Sequence, residues 1–174
     1  GTMENSGVDD YKGGHLFIYD PDKEIRDKTD NIISPGELIN LGIPVEGEGI
    51  YSLVYDDSHN LIYGITYPNG VLFNYSPVSK KIRIIGYTIE ALHLMPHDVI
   101  KIRGVSSAII CDKEGNVYGS TGDSELFKYD IRDNKIRVLD VKMPGEKGRE
   151  YLVVADAFTM DKNGLIYGGT SDGF

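Results

Sequence analysis

A ten-residue pattern that occurs three times limits what this chain can fold into. Asp57-Ser-His-Asn-Leu-Ile-Tyr-Gly-Ile-Thr66 returns as Asp112-Lys-Glu-Gly-Asn-Val-Tyr-Gly-Ser-Thr121 and again as Asp161-Lys-Asn-Gly-Leu-Ile-Tyr-Gly-Gly-Thr170. A second marker, Leu-Phe-X-Tyr, begins at Leu16, Leu72 and Leu126. A third, Lys-Ile-Arg followed by two apolar residues, begins at Lys81 and Lys135. Independent markers keep a common period of about 50–55 residues, so the chain is a row of repeated supersecondary units.

Each unit predicts four short strands. The first is rich in small residues, as in 104–110 and 153–158. A tight turn follows, in which Gly115 and Gly164 supply the positive φ that a hairpin demands, and Asn60 fills the same slot in the earlier unit. The β-branched and aromatic residues around Tyr63, Tyr118 and Tyr167 make the second strand. The Leu-Phe-X-Tyr segment makes the third, and the Lys-Ile-Arg segment makes an outer strand with its cations toward water. The fold class expected is all-β. The glycine after each repeat tyrosine (Gly64, Gly119, Gly168) is expected where adjacent sheets come close.

The run Asp-X-X-Gly-X-Ile-Tyr-Gly-X-Thr, followed by Leu-Phe-X-Tyr-Asp-Pro, resembles β-propeller blades of the streptogramin-lyase-like, NHL-like and quinoprotein-like kinds. The resemblance spans about residues 13–174, and the absence of Trp sets the chain apart from WD40 and kelch repeats. It implies four-stranded antiparallel blades, about three in all. Residues 1–12 read as an expression scar and tail, 13–48 as the later strands of a split blade, 49–103 and 104–150 as whole blades, and 151–174 as the early strands of another split blade. Rings take about four to eight blades. The expectation is therefore a fragment of a larger ring, with a strand-swapped homo-oligomer as the competing arrangement.

Charge and composition narrow the function. Eighteen Lys and Arg against 27 Asp and Glu leave a formal charge of −9 without a basic cluster, which argues against a nucleic-acid partner. No apolar run approaches the length of a membrane span. Cys111 is the only cysteine, so an internal disulfide and a thiolate metal cage are excluded. No targeting segment is visible, and the compartment is left open.

Ligands of such folds are expected where the innermost strands and their loops converge. The residues predicted there are Glu46, Glu48, Arg103, Arg149 and Glu150 in loops, with Ser52, Ser107 and Asp156 at matching strand positions. Glu48, Arg103, Arg149 and Asp156 form the candidate polar mouth. His93 and His97 share the longest insertion and are the candidates for a metal, although Pro96 between them disfavours a helix. The Asp-X-X-Gly turns lack the alternating ligands of a calcium loop and read as turns. No catalytic arrangement is recognisable, and no cofactor is expected unless a divalent metal. The function expected is a binding or scaffold domain for a small molecule, saccharide or protein. The alternatives are a metal-assisted lyase or hydrolase, which the streptogramin-lyase resemblance implies, and a structural repeat of a larger extracellular protein.

Overall fold

A computed structural model of the protein describes residues 11–88, 105–122, 124–145 and 153–171, which form fourteen strands and no helix. These are β1 (Leu16–Asp20), β2 (Ile25–Arg26), β3 (Ile32–Ser34), β4 (Glu37–Gly42), β5 (Gly49–Asp56), β6 (Leu61–Tyr67) and β7 (Val71–Ser76). They continue as β8 (Lys81–Tyr87), β9 (Ile110–Cys111), β10 (Val117–Ser120), β11 (Glu125–Asp130), β12 (Lys135–Lys142), β13 (Val154–Met160) and β14 (Ile166–Ser171). The protein is all-β, built of small antiparallel sheets. Two are four-stranded meanders, β5-β6-β7-β8 and β9-β10-β11-β12. Three have two strands: β1-β4, β2-β3 and β13-β14.

Repeat markers and strands correspond. The Tyr-Gly segments are β6, β10 and β14, the Leu-Phe-X-Tyr segments are β1, β7 and β11, and the Lys-Ile-Arg segments are β8 and β12. The turn glycines have the left-handed φ expected of them, 86° at Gly115 and 91° at Gly164, with Asn60 at 51°. A further hairpin, β2-β3, is inserted between β1 and β4 and turns through Asp30 at φ 67°.

The glycines after the repeat tyrosines serve a different purpose from the one expected. Gly64 pairs directly with Phe73 on β7, and Gly119 with Phe127 on β11. A Cβ on Gly64 would lie 2.3 Å from Phe73 Cζ, and one on Gly119 would lie 2.5 Å from Phe127 Cε1. Each glycine clears space for a phenylalanine of the adjacent strand in the same sheet. The close approach is within sheets, not between them. Gly119→Ala is therefore expected to displace the Phe127 ring and to destabilise the fold by about 1–3 kcal/mol, read from a urea melt.

Three apolar clusters join the sheets in order. Phe73 and Tyr75 pack with Leu16 and Leu41, so the β1-β4 pair lies against one face of β5-β8. Tyr63, Ile65 and Leu72 on the other face pack with Val117, Phe127 and Tyr129 of the second meander, where the Tyr63 and Tyr129 rings lie 5.8 Å apart. Beyond it, Leu126 packs with Ala155 and Phe158 of the β13-β14 pair. The repeat positions keep their direction throughout. The leucine of Leu-Phe-X-Tyr faces the following unit, and its Phe and Tyr face the preceding one.

Candidate functional site

The leading segments of successive units adjoin along one side of the stack: the strand expected over 104–110 is reduced to β9, and in the extended stretch before it the Ala108 amide donates to the Ala155 carbonyl of β13 at 3.2 Å. Two of these strands are bulged. Tyr51 is the extra residue between Ile50 and Ser52 on β5, and Asp156 is the extra residue between Ala155 and Ala157 on β13. A bulge leaves its extra residue outside the ladder and re-aims the side chain. Ser107 stands at the equivalent place in the middle unit, and its hydroxyl donates to the Tyr51 hydroxyl at 3.5 Å. The Tyr51 ring also leans on Tyr67, with centroids 5.4 Å apart. A phenol, an alcohol and an exposed carboxylate thus recur at one structural position of three consecutive units.

Counting residues aligns Ser52 with Ser107 and Asp156, but the pairing register replaces Ser52 with Tyr51. Tyr118 and Tyr167 pair with Ile110 and Thr159, each eight residues earlier, whereas Tyr63 pairs with Val54, nine earlier. The first turn is longer by one residue. No periodicity in the sequence reveals this.

Glu48 lies apart from that row. It is buried, and its carboxylate accepts from the Thr66 hydroxyl at 2.6 Å, the Asn69 amide side chain at 3.0 Å and the Asn69 backbone N–H at 3.3 Å. Its oxygens are engaged in holding the end of β6 and the following turn. Glu46 is exposed. Arg103, Arg149, Glu150, His93 and His97 lie outside the described residues. Among the described residues, no group of three or more His, Cys, Asp and Glu is placed to hold a metal ion.

At the opposite ends of these strands, the turn aspartates are engaged in the same way. Asp112 accepts from the Glu114 and Asn116 backbone N–H groups, the Asn116 side-chain amide and the Tyr118 hydroxyl. Asp161 accepts from Asn163 and Leu165, and Asp27 from Thr29 and Asn31 in the inserted hairpin. Asp56, not Asp57, fills this role in the first meander, accepting from Ser58 and His59 N–H and pairing with the His59 ring at 2.8 Å. His59 is thereby anchored in its turn. Turns of neighbouring units are also tied, since Ser58 donates to the Lys113 carbonyl at 2.8 Å and the Lys113 ammonium to that of Lys162.

These bonds favour the charged carboxylates. The Thr29 hydroxyl, with the Asn31 donors, holds Asp27 down at about 2. At Asp112, burial pushes upward, but the Asn116, Glu114 and Tyr118 donors outweigh it and leave the group below its ordinary value. The Leu165 amide leads a similar lowering at Asp161. Folded-state values below the unfolded ones mean that the unfolded chain binds more protons in between, so stability rises with pH across that window. The melting temperature is expected to be level above about pH 5 and to fall steadily toward pH 2. A flat thermal profile over that range would refute this role for the turns.

Cys111 is half-buried, and burial, followed by the charges of Asp56 and Asp112, pushes its thiol up to about 12. That environment suppresses the thiolate, and with it nucleophilic reactivity. His15 is exposed and shares a hydrogen bond with Asn40 at 3.0 Å.

No family model matches this sequence, and no curated protein does. The fold does have solved neighbours. One is the extracellular domain assigned to the hybrid two component system BT4673 of B. thetaiotaomicron, at TM-score 0.53 and 17% identity, covering 86% of this chain and 20% of that one. A second structure of the BT4673 extracellular domain, described as a one component system, gives TM-score 0.51 and 16% identity over 85% of this chain and 20% of that one. This chain spans one fifth of their length, and at such identity the likeness is one of fold.

Proposed function

We propose that this chain is a section of a β-propeller that acts as a non-catalytic binding module, taking a polyhydroxylated small molecule such as a saccharide at the inner edge of its blades. The observation that carries the reading is the row Tyr51, Ser107 and Asp156, three hydrogen-bonding side chains at one structural position of adjoining units. A carboxylate and a hydroxyl complement sugar hydroxyls, and an aromatic ring offers a face to their C–H groups. The blade reading is supported by the meander order of the four-stranded sheets, by their constant facing direction and by the Ser107–Tyr51 contact between their leading segments. The fold neighbours are described as extracellular domains of a two component and a one component system, and they lend the binding role support by analogy of fold alone.

Calorimetric titration against a panel of neutral oligosaccharides tests the reading. Asp156→Ala is expected to weaken binding by about tenfold or more, since a hydrogen bond to a charged group is worth about 1.5–3 kcal/mol, and Tyr51→Ala by about two- to tenfold, since a neutral one is worth about 0.5–1.5 kcal/mol. Asp140→Ala, on an exposed stretch of β12, should leave it unchanged. A panel without a binder, or an affinity indifferent to both site variants, would refute the proposal.

A further inference from the structure

Two serines outside the binding row hold the backbone on either side of it. Ser106, Ser120 and Ala155 are all buried. The Ala155 N–H donates to Ser120 Oγ at 2.9 Å, the Ser120 hydroxyl donates to Ser106 Oγ at 3.1 Å, and the Ser106 hydroxyl donates to the Ala108 carbonyl at 2.5 Å. The Ala108 N–H in turn donates to the Ala155 carbonyl at 3.2 Å. The bonds run in one direction and close a ring between the second meander and β13. The Ser120 N–H braces it with a further bond to Ser106 Oγ at 2.9 Å.

The ring takes the place of strand pairing. In the first meander β5 pairs with β6 from Asp56 back to Gly49. In the second, β9 pairs with β10 at Cys111 and Ile110 alone, and the residues before them bond within the ring. Ile65 stands at the repeat position of Ser120, two residues after a repeat tyrosine, and packs there with Val105 and Ile109 of the next unit's leading segment. An apolar residue therefore suits that strand position, whereas buried serines there must find partners for their hydroxyls, and the ring supplies them. Its members flank the row: Ser107 lies between Ser106 and Ala108, and Asp156 follows Ala155 at the β13 bulge.

We propose that Ser120 is a positioning residue for the binding row: through the ring it fixes the spacing of Ser107 and Asp156, and with it the spacing of hydroxyls that a ligand must offer. The inference rests on the binding role proposed above. Ser120, being buried, makes no contact with a ligand itself. Asp156 is the extra residue of a bulge, so no opposing residue of β14 locates it. Its place is set by Ala155, whose N–H and carbonyl both belong to the ring. Ser107 is set in the same way by Ser106 on one side and Ala108 on the other. Groups that bind with defined geometry need such support from bonds behind them.

Two measurements test it, the first without ligand. In a Cys111→Ser background, nitroxides carried by Ser107→Cys and Asp156→Cys should broaden each other's spectra. Ser120→Ala should weaken that broadening as the spacing spreads, and Ser120→Thr, which keeps the hydroxyl on a strand position that accepts a β-branched residue, should restore it. Broadening that Ser120→Ala leaves unchanged would overturn the proposal. The second measurement is calorimetry with an oligosaccharide that the unmodified chain binds. Ser120→Ala should weaken binding by about three- to tenfold. In an Asp156→Ala background the same substitution should cost less than about twofold, because nothing remains for Ser120 to position. An equal loss in both backgrounds would overturn the proposal. Ser106→Ala breaks the same ring and takes the place of Ser120→Ala if that variant does not fold. Should no oligosaccharide bind, the binding role fails, and the nitroxide spectra still decide whether Ser120 sets the spacing.

Discussion

Phe127→Ala is expected to cost about 3–5 kcal/mol, the upper range for losing a buried aromatic. The ring is fully buried and performs two tasks. Within its own sheet it covers Gly119, which offers no side chain of its own, and between sheets it packs with Tyr63 and Leu72 of the preceding meander. Truncation opens a cavity that Gly119 cannot fill and thins the junction joining the two largest sheets. Phe127→Leu keeps most of the volume and should cost about 1–1.5 kcal/mol. Chemical denaturation reads both, and a loss below about 1 kcal/mol for the alanine variant would mean that the junction is not a packed core.

Glu48→Ala is the second large effect, expected at about 2–3 kcal/mol. The carboxylate is buried, and the Thr66 hydroxyl that donates to it is itself fully buried. Removing the acceptor leaves that buried hydroxyl donating only to the Val71 carbonyl, at a long 3.4 Å, and frees the Asn69 turn. Glu48→Gln keeps one oxygen for Thr66 but turns an amide group toward the Asn69 donors, so about 1 kcal/mol is expected. If Glu48→Ala left stability intact while reducing ligand affinity, Glu48 would belong to the binding surface and not to the frame.

Strand positions could be read from the sequence because the features that set them are local. Tyr-Gly, Leu-Phe-X-Tyr and the Asp-X-X-Gly turns each specify a backbone state within a few residues, and β6, β7, β10, β11 and β14 lie where those segments occur. One local signal was present but unread: Asp27-Lys-Thr-Asp-Asn31 repeats the arrangement of Asp112-Lys-Glu-Gly-Asn116, and it forms the β2-β3 turn with Asp30 in the glycine's place. Facts that depend on two strands at once could not be read in this way. The partner of Gly64 is Phe73 only once a register exists. Tyr51 replaces Ser52 beside Ser107 because one added turn residue shifts β5 against β6. Glu48 looks like a free loop acid until Thr66 and Asn69 are folded onto it. The candidate site was therefore only partly readable: Asp156 and Ser107 stand at one structural position of adjoining units, Tyr51 joins them as a product of the register, and Glu48 belongs to the framework.

In the two meanders every strand pairs with its neighbour in sequence, and the sheets are held to one another almost wholly through side-chain faces. Cohesion in such an array is a sum of intrinsic and nearest-neighbour contributions. The same layout makes evolutionary change modular, because a unit can be duplicated or deleted in genetic recombination without cutting a hydrogen-bonded ladder, and homologues will differ in length by whole units.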